Sequence, residues 1–233
     1  MLALVDMGRK TEVICEEKDI LAAVSHALAN PLLYLAAPKP DLITVPVCKN
    51  CKQGGCRTDY LCHTTEISFV EPIFKCGKLL SAVNARNKSG KELAKESRNG
   101  AKDTPDYFDY IMFTWGNCFA GDNLVTERML GRRPNERDLS VDFKPGVRFY
   151  FKYDDITSHN GYANDGHHPA KIKNELSLPD YLHCCIIPKS HKATFEKIVP
   201  HNLADRVFYI ENNGKGIWEW SEKVYDFVVR LKL

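Results

Sequence analysis

The sequence predicts an α+β domain with a mixed, mostly antiparallel sheet and short helices. Short runs rich in aromatic and β-branched residues, such as YFDYIMFTW, VRFYFKY and RVFYIE, recur along the chain and have strand character. Short segments of helical spacing separate them, without the regular strand–helix alternation of a doubly wound sheet. The composition, 44% hydrophobic and 27% charged over 233 residues, suits a globular chain that buries its core without disulfide staples.

Taken in order, EEKDILAAVSHALAN (16–30) spaces its apolar residues as an amphipathic helix and stops before Pro31, which cannot continue one. PDLITVPVC (40–48) reads as a short strand leading into a cysteine cluster. A boundary near residue 58 separates this N-terminal helical appendage (1–58) from the main domain (59–233). DYLCHTT (59–65) opens that domain as a strand. EISFVEPIFKCGKLLSA (66–82) reads as a helix closed by Gly77, since glycine tolerates the left-handed C-cap conformation. Residues 84–105 are polar and glycine-dotted, a loop with a turn or two of helix at GKELAKES. A strand over 107–117, a helix over 121–131 and a strand over 146–156 follow. HNGYANDGHHPAK (159–171) reads as a loop, NELSLPDYLHCCIIP (174–188) as a strand pair or a strand bent at Pro179, and SHKATFEKIVP (190–200) as helical. RVFYIE (206–211) is a last strand and GIWEWSEKVYDFVVRLKL (216–233) a closing helix.

The formal charge of +2 is too small to argue for nucleic acid or a membrane surface by bulk electrostatics. Nine cysteines, an odd number with one adjacent pair at Cys184 and Cys185, do not form a secreted disulfide framework. No signal peptide is read at the N-terminus, and the most apolar segment is interrupted by His26, Asn30 and Pro31. The expectation is a cytoplasmic protein without a membrane partner.

Cys48, Cys51, Cys56 and Cys62 form a C-x2-C-x4-C-x5-C pattern. Two thiolates at C-x2-C spacing can chelate one ion, so these four are candidate ligands for a structural zinc, against a default of unpaired reduced thiols. The unit YLCHTTEISFVEPIFKCGKLLSA places a histidine at a strand end, two hydroxyl residues beside it, a helix, then a glycine followed by Leu-Leu-Ser. It resembles the opening of ADP-ribosyltransferase-like domains, most of all the DarT-type toxins and, more distantly, the histidine-containing poly-ADP-ribose polymerases.

The resemblance covers roughly residues 59–190 and implies an ADP-ribosyltransferase-like fold with NAD as co-substrate. It implies transfer of ADP-ribose to a macromolecular acceptor, nucleic acid or protein, with release of nicotinamide. His63, with Thr64 and Thr65, would hold a ribose. Arg98, with Arg86 second, would bind phosphate, and Glu175 would be the catalytic carboxylate. Tyr107 and Tyr110 would stack on nicotinamide, with Tyr150 competing. The chemistry is coherent: a carboxylate stabilises positive charge developing on the ribose, and a guanidinium suits a pyrophosphate.

The segment TWGNCFAGDNLVTERMLG has no counterpart in that family. It gathers Asn117, Asp122, Glu127 and Arg128, any of which competes with Glu175 for the site. Two alternatives stand beside the transferase. One is a metal-dependent hydrolase using His159, Asp165, His167 and His168 of the 159–168 loop. The other is a zinc-stabilised, non-enzymatic binding module.

Overall fold

The computed structural model describes residues 3–6, 11–14, 59–96, 105–163 and 168–231. The chain divides into two compact units, Met1–Cys56 and Arg57–Leu233. In the first, β1 (Ala3–Asp6) pairs antiparallel with β2 (Thr11–Ile14), a ribbon that the helical reading of this region does not anticipate. The helix expected over 16–30 and the strand over 40–48 lie outside the described residues.

The second unit is α+β. Its strand β3 (Tyr60–Thr65) leads through a 3-10 turn into helix α1 (Val70–Cys76). Gly77 closes that helix at φ 66°, its amide donating to the Ile73 carbonyl at 2.9 Å. The chain then turns straight into β4 (Lys78–Leu80), α2 (Ala82–Arg86) and α3 (Gly90–Glu96). The helix expected over 66–82 therefore ends where glycine predicts, and Lys-Leu-Leu forms a strand after it. Strand β5 (Tyr110–Trp115), helix α4 (Ala120–Leu130), the short α5 (Glu136–Leu139), β6 (Val147–Lys152) and α6 (Tyr153–Thr157) follow. Residues read as a loop at 159–171 contribute β7 (Tyr162–Ala163) and the start of β8 (Ala170–Lys173). The 174–188 segment is a strand pair, β9 (Glu175–Ser177) and β10 (Leu182–Pro188), broken by the single turn α7 (Leu178–Tyr181). A one-turn α8 (Lys192–Phe195), β11 (Val207–Ile210) and the long α9 (Ile217–Arg230) complete the unit.

Seven strands form one sheet in the order β11-β10-β6-β3-β5-β8-β7, and β4 pairs with β9 as a separate ribbon. Every pairing is antiparallel except β10 with β11, so the sheet is mixed and mostly antiparallel, as expected.

Two apolar layers enclose the sheet. Alternation along a strand sends neighbouring side chains to opposite faces. Leu61, Ile111, Phe113, Phe149, Phe151 and Cys185 join one layer, packed with Val70 and Phe74 of α1 and with Leu79 and Leu176 of the β4–β9 ribbon. Cys62, Tyr150, Cys184 and Ile186 join the other, packed with Ile217, Trp220, Val224 and Val228 of α9. Each fully buried large apolar side chain contributes about 1.5–3 kcal/mol, and β6 is buried on both faces from Val147 to Phe151.

Helix α4 also lies against β3, with Gly121 over Thr64. A Cβ there would stand 2.8 Å from Thr64 Cβ, inside van der Waals contact. Gly121→Ala should therefore destabilise the protein by about 1–3 kcal/mol through overpacking, measured by urea denaturation. A loss below about 0.5 kcal/mol, the usual range of a neutral surface substitution, would show that α4 is not seated on Thr64.

Candidate functional site

The sheet forks at His63. Strand β3 pairs with β6 along its whole length, from Tyr60–Lys152 to Thr65–Val147. With β5 it pairs only at Leu61–Trp115 and Cys62–Thr114. The first half of β5 turns instead to β8, from Tyr110–Lys173 to Phe113–Ala170. Side chains take over from the lost ladder. The Thr114 hydroxyl donates to the Cys62 carbonyl at 3.2 Å, and the His63 Nδ1 lies 3.0 Å from the Met112 carbonyl oxygen.

That second contact determines the tautomer. A carbonyl only accepts, so Nδ1 carries the hydrogen. Burial lowers the proton affinity of His63, and the Arg128 charge lowers it further against the opposing effect of the Met112 carbonyl. The ring is therefore neutral near pH 7 and Nε2 keeps its lone pair. Among the described residues Nε2 has no hydrogen-bond partner, and the residue is half-buried, its ring edge-on to Phe113 at 6.2 Å. The fork thus presents one oriented acceptor nitrogen.

The neighbouring threonines are placed differently. Thr64 points to the opposite face, beneath Gly121, with its hydroxyl 3.7 Å from Cys62 Sγ. Thr65 shares the His63 face and is buried.

Glu175 begins β9 and stands opposite Leu80 of β4. The Ser81 amide donates to the Asn174 carbonyl at 2.7 Å, and the Leu178 amide to the Gly77 carbonyl at 2.9 Å. The segment that follows the first helix and the segment that carries Glu175 are thus zipped together, through Leu79 and Leu176, onto the face that His63 shares. The Glu175 carboxylate itself is half-exposed and pairs with Lys78 Nζ at 2.6 Å. It lines an open cleft of about 460 Å³ with Asn84, Asn87, Lys88 and Ser89. His63 is not among the residues lining that cleft.

Arg98 lies outside the described residues, and Arg86 on α2 stands 4.0 Å from Glu96. The Tyr110 ring carries Lys171 Nζ at 4.5 Å. Alternation turns it to the other side of β5 from Phe113, the ring that touches His63. Tyr107 packs edge-on to Phe108 and against His168. Tyr150 is fully buried, donating to the Gly116 carbonyl at 3.2 Å, which takes it out of competition for stacking on a ligand.

Cys48, Cys51 and Cys56 lie outside the described residues. Cys62 is fully buried beside Tyr150, and burial pushes its thiol up to about 12. In the 159–168 loop, His159 Nδ1 accepts the Gly161 amide at 2.9 Å, and Asp165 and His167 fall outside the described residues. No group of three metal-ligating side chains occurs among the described residues.

Sequence reasoning missed Arg148. Both it and Asp122 are completely buried between α4 and the sheet. Asp122 Oδ2 accepts Nε at 2.8 Å and also Nη2, while Nη1 donates to the Tyr150 hydroxyl at 3.0 Å. Burial raises the Asp122 carboxyl although the guanidinium opposes it, and the carboxylate holds the Arg148 proton well above its ordinary value. The Gly146 amide also favours the anion, although Asp122 Oδ1 has no geometric hydrogen bond among the described residues. A charge inside a strand of otherwise apolar neighbours, V-R-F-Y-F, was the available signal.

His183 is a second buried imidazole. It is the extra residue where the β10–β6 register shifts, and it lies against the Tyr60 ring at 4.7 Å. Its Nε2 has no partner among the described residues, and burial, then Lys152 and Arg206, lower its proton affinity.

No family model matches the chain, and neither a curated protein nor a solved structure matches it. Among the described residues no helix is long and apolar enough to cross a membrane.

Both His63 and His183 titrate below the ordinary value of 6.5 in the folded protein. The unfolded chain therefore binds more protons below that value, and stability falls as pH drops through it. NMR titration of the imidazoles should give both midpoints below about 6.5, and His63→Gln plus His183→Gln should flatten the acid limb of stability against pH. Midpoints at or above 6.5 would refute the burial argument.

Proposed function

We propose that the chain transfers ADP-ribose from NAD to a macromolecular acceptor and releases nicotinamide. The observation that carries this reading is the His63 imidazole, anchored through Nδ1 and offering Nε2 as a bare acceptor. A sugar hydroxyl is the complementary donor. The pairing of β4 with β9 supports it further, because it joins two separate parts of the family resemblance, the Gly-Lys-Leu-Leu-Ser segment and the Glu175 strand; Leu79 and Leu176 seat this ribbon on the layer that His63 shares, and Glu175 turns outward beside Leu80.

In this reading His63 orients a ribose hydroxyl of the substrate. Glu175 exchanges its exposed Lys78 partner for the substrate and stabilises positive charge as the bond between the ribose C1′ and nicotinamide nitrogen breaks, the electron pair leaving with nicotinamide. The acceptor nucleophile forms the new bond at C1′, and its proton passes to the Glu175 carboxylate. His63 and Glu175 reach one substrate only if the substrate spans the distance from the fork to the Glu175 cleft. Asn84, Asn87 and Ser89 of that cleft supply neutral polar groups for an acceptor.

Incubation with NAD labelled in the adenylate, together with DNA, RNA and protein acceptors, tests the reading. Wild type should label one class of acceptor and release nicotinamide stoichiometrically. Glu175→Gln should lower kcat by about a hundredfold or more, in the range of a lost electrostatic stabiliser. His63→Phe should weaken NAD binding with folding retained. Absence of NAD consumption by wild type with every acceptor, or full activity of Glu175→Gln, would overturn it.

A further inference from the structure

Helix α4 is held on the sheet by polar contacts more than by apolar ones. Val125 is buried with Asp122 and Thr126, whereas Leu124, Met129 and Leu130 are 45%, 52% and 40% exposed. Apolar burial alone does little to set the rotation or slide of such a helix. Two consecutive residues do so instead. Gly121 sits on Thr64, and Asp122 grips Arg148. Thr64 and Arg148 are themselves cross-strand partners in β3 and β6, so adjacent helix residues engage adjacent sheet residues.

A buried ion pair is weak evidence for stability, since apolar side chains of similar volume often serve as well. What its directed hydrogen bonds add is registry. Here the register is that of α4 on Thr64, the residue next to His63. The groups in contact with the His63 ring are the Met112 carbonyl and the Phe113 ring, both of β5, so its orientation depends on how β3 is held against β5.

We propose that Asp122 and Arg148 are a positioning pair for the His63 site: by clamping the first turn of α4 onto the Thr64–Arg148 rung, they fix the β3 backbone next to His63 and so hold its imidazole in the Nδ1-anchored orientation. The effect on the imidazole stands independently of the transferase reading; the effect on turnover rests on it.

The test compares wild type with Asp122→Asn, with the apolar pair Asp122→Leu/Arg148→Met, and with Gly121→Ala, which disturbs the same seat while keeping both charges. Urea denaturation reports folding, and the imidazole ¹⁵N spectrum at constant pH reports the His63 tautomer. The apolar pair should unfold cooperatively, yet show a mixed His63 tautomer in place of the single Nδ1-protonated form. Gly121→Ala should move the spectrum in the same direction. Where NAD is turned over, KM should rise by about tenfold to a hundredfold with a smaller change in kcat, the scale of a misplaced binding group. A folded apolar-pair variant with the wild-type ¹⁵N spectrum would overturn the proposal and leave the pair a structural feature only. If the apolar pair fails to fold, an unchanged spectrum in folded Asp122→Asn and Gly121→Ala overturns it equally. A wild type that consumes no NAD sinks the transferase reading alone, because the ¹⁵N comparison needs no substrate.

Discussion

A guanidinium with no exposed surface lies in the middle of the sheet, and much of the surrounding structure follows from its needs. Arg148 cannot lose its proton, so its charge has to be answered where it stands. Asp122 answers it at two nitrogens and the Tyr150 hydroxyl at the third, and that hydroxyl is in turn held by the Gly116 carbonyl. To bring Asp122 there, α4 lies so close to β3 that a Cβ at position 121 would press on the Thr64 side chain. The loop from β5 into α4 is tied down where it leaves β5, the Gly116 amide bonding the Tyr60 carbonyl at 2.8 Å and the Ser221 hydroxyl bonding the Asn117 carbonyl at 3.0 Å.

The apolar layer on the other face has a different logic. There Phe113, Phe149 and Phe151 are met by Phe74 of α1 and by Leu79 and Leu176 of the ribbon, and burial is non-directional. Such a layer tolerates small adjustments, whereas the ion pair does not. His63 stands at the fork between the two regimes: its ring leans on Phe113, its Nδ1 replaces a missing ladder bond, and its backbone is next to the clamped Thr64.

These relations were legible in the sequence only in part. Gly77 marked a helix end because its reason is local, a left-handed backbone. The split of 174–188 into two strands was open to view because Pro179 interrupts it. The loop predicted over 159–171 takes in the start of β8, because only Ala170 and Ile172 alternate inward, too short a period beside a polar, glycine-rich stretch. The alternation in VRFYFK marks a strand, with Arg148 and Tyr150 on one face. It could not say that α4 and α9 cover that face, since a period of two assigns partners to a face without saying what lies over it. His63 was found through its motif, but the carbonyl that orients it comes from Met112, 49 residues away, and no local pattern carries such a contact.

Two ion pairs mark the region, and their exposure separates their roles. Lys78 and Glu175 are 44% and 50% exposed, so water and ions compete for both partners and the carboxylate can exchange its lysine for another group at little cost. Arg148 and Asp122 are wholly enclosed, and separating them would strand a charge in the core. A carboxylate that must change partners needs the first kind of environment, and a group that must hold geometry needs the second. That difference is why Asp122, a competitor for the catalytic role on sequence grounds, is better understood as the residue that holds α4 in place, and why Glu175 is the carboxylate to which the proposed transferase reading assigns chemistry.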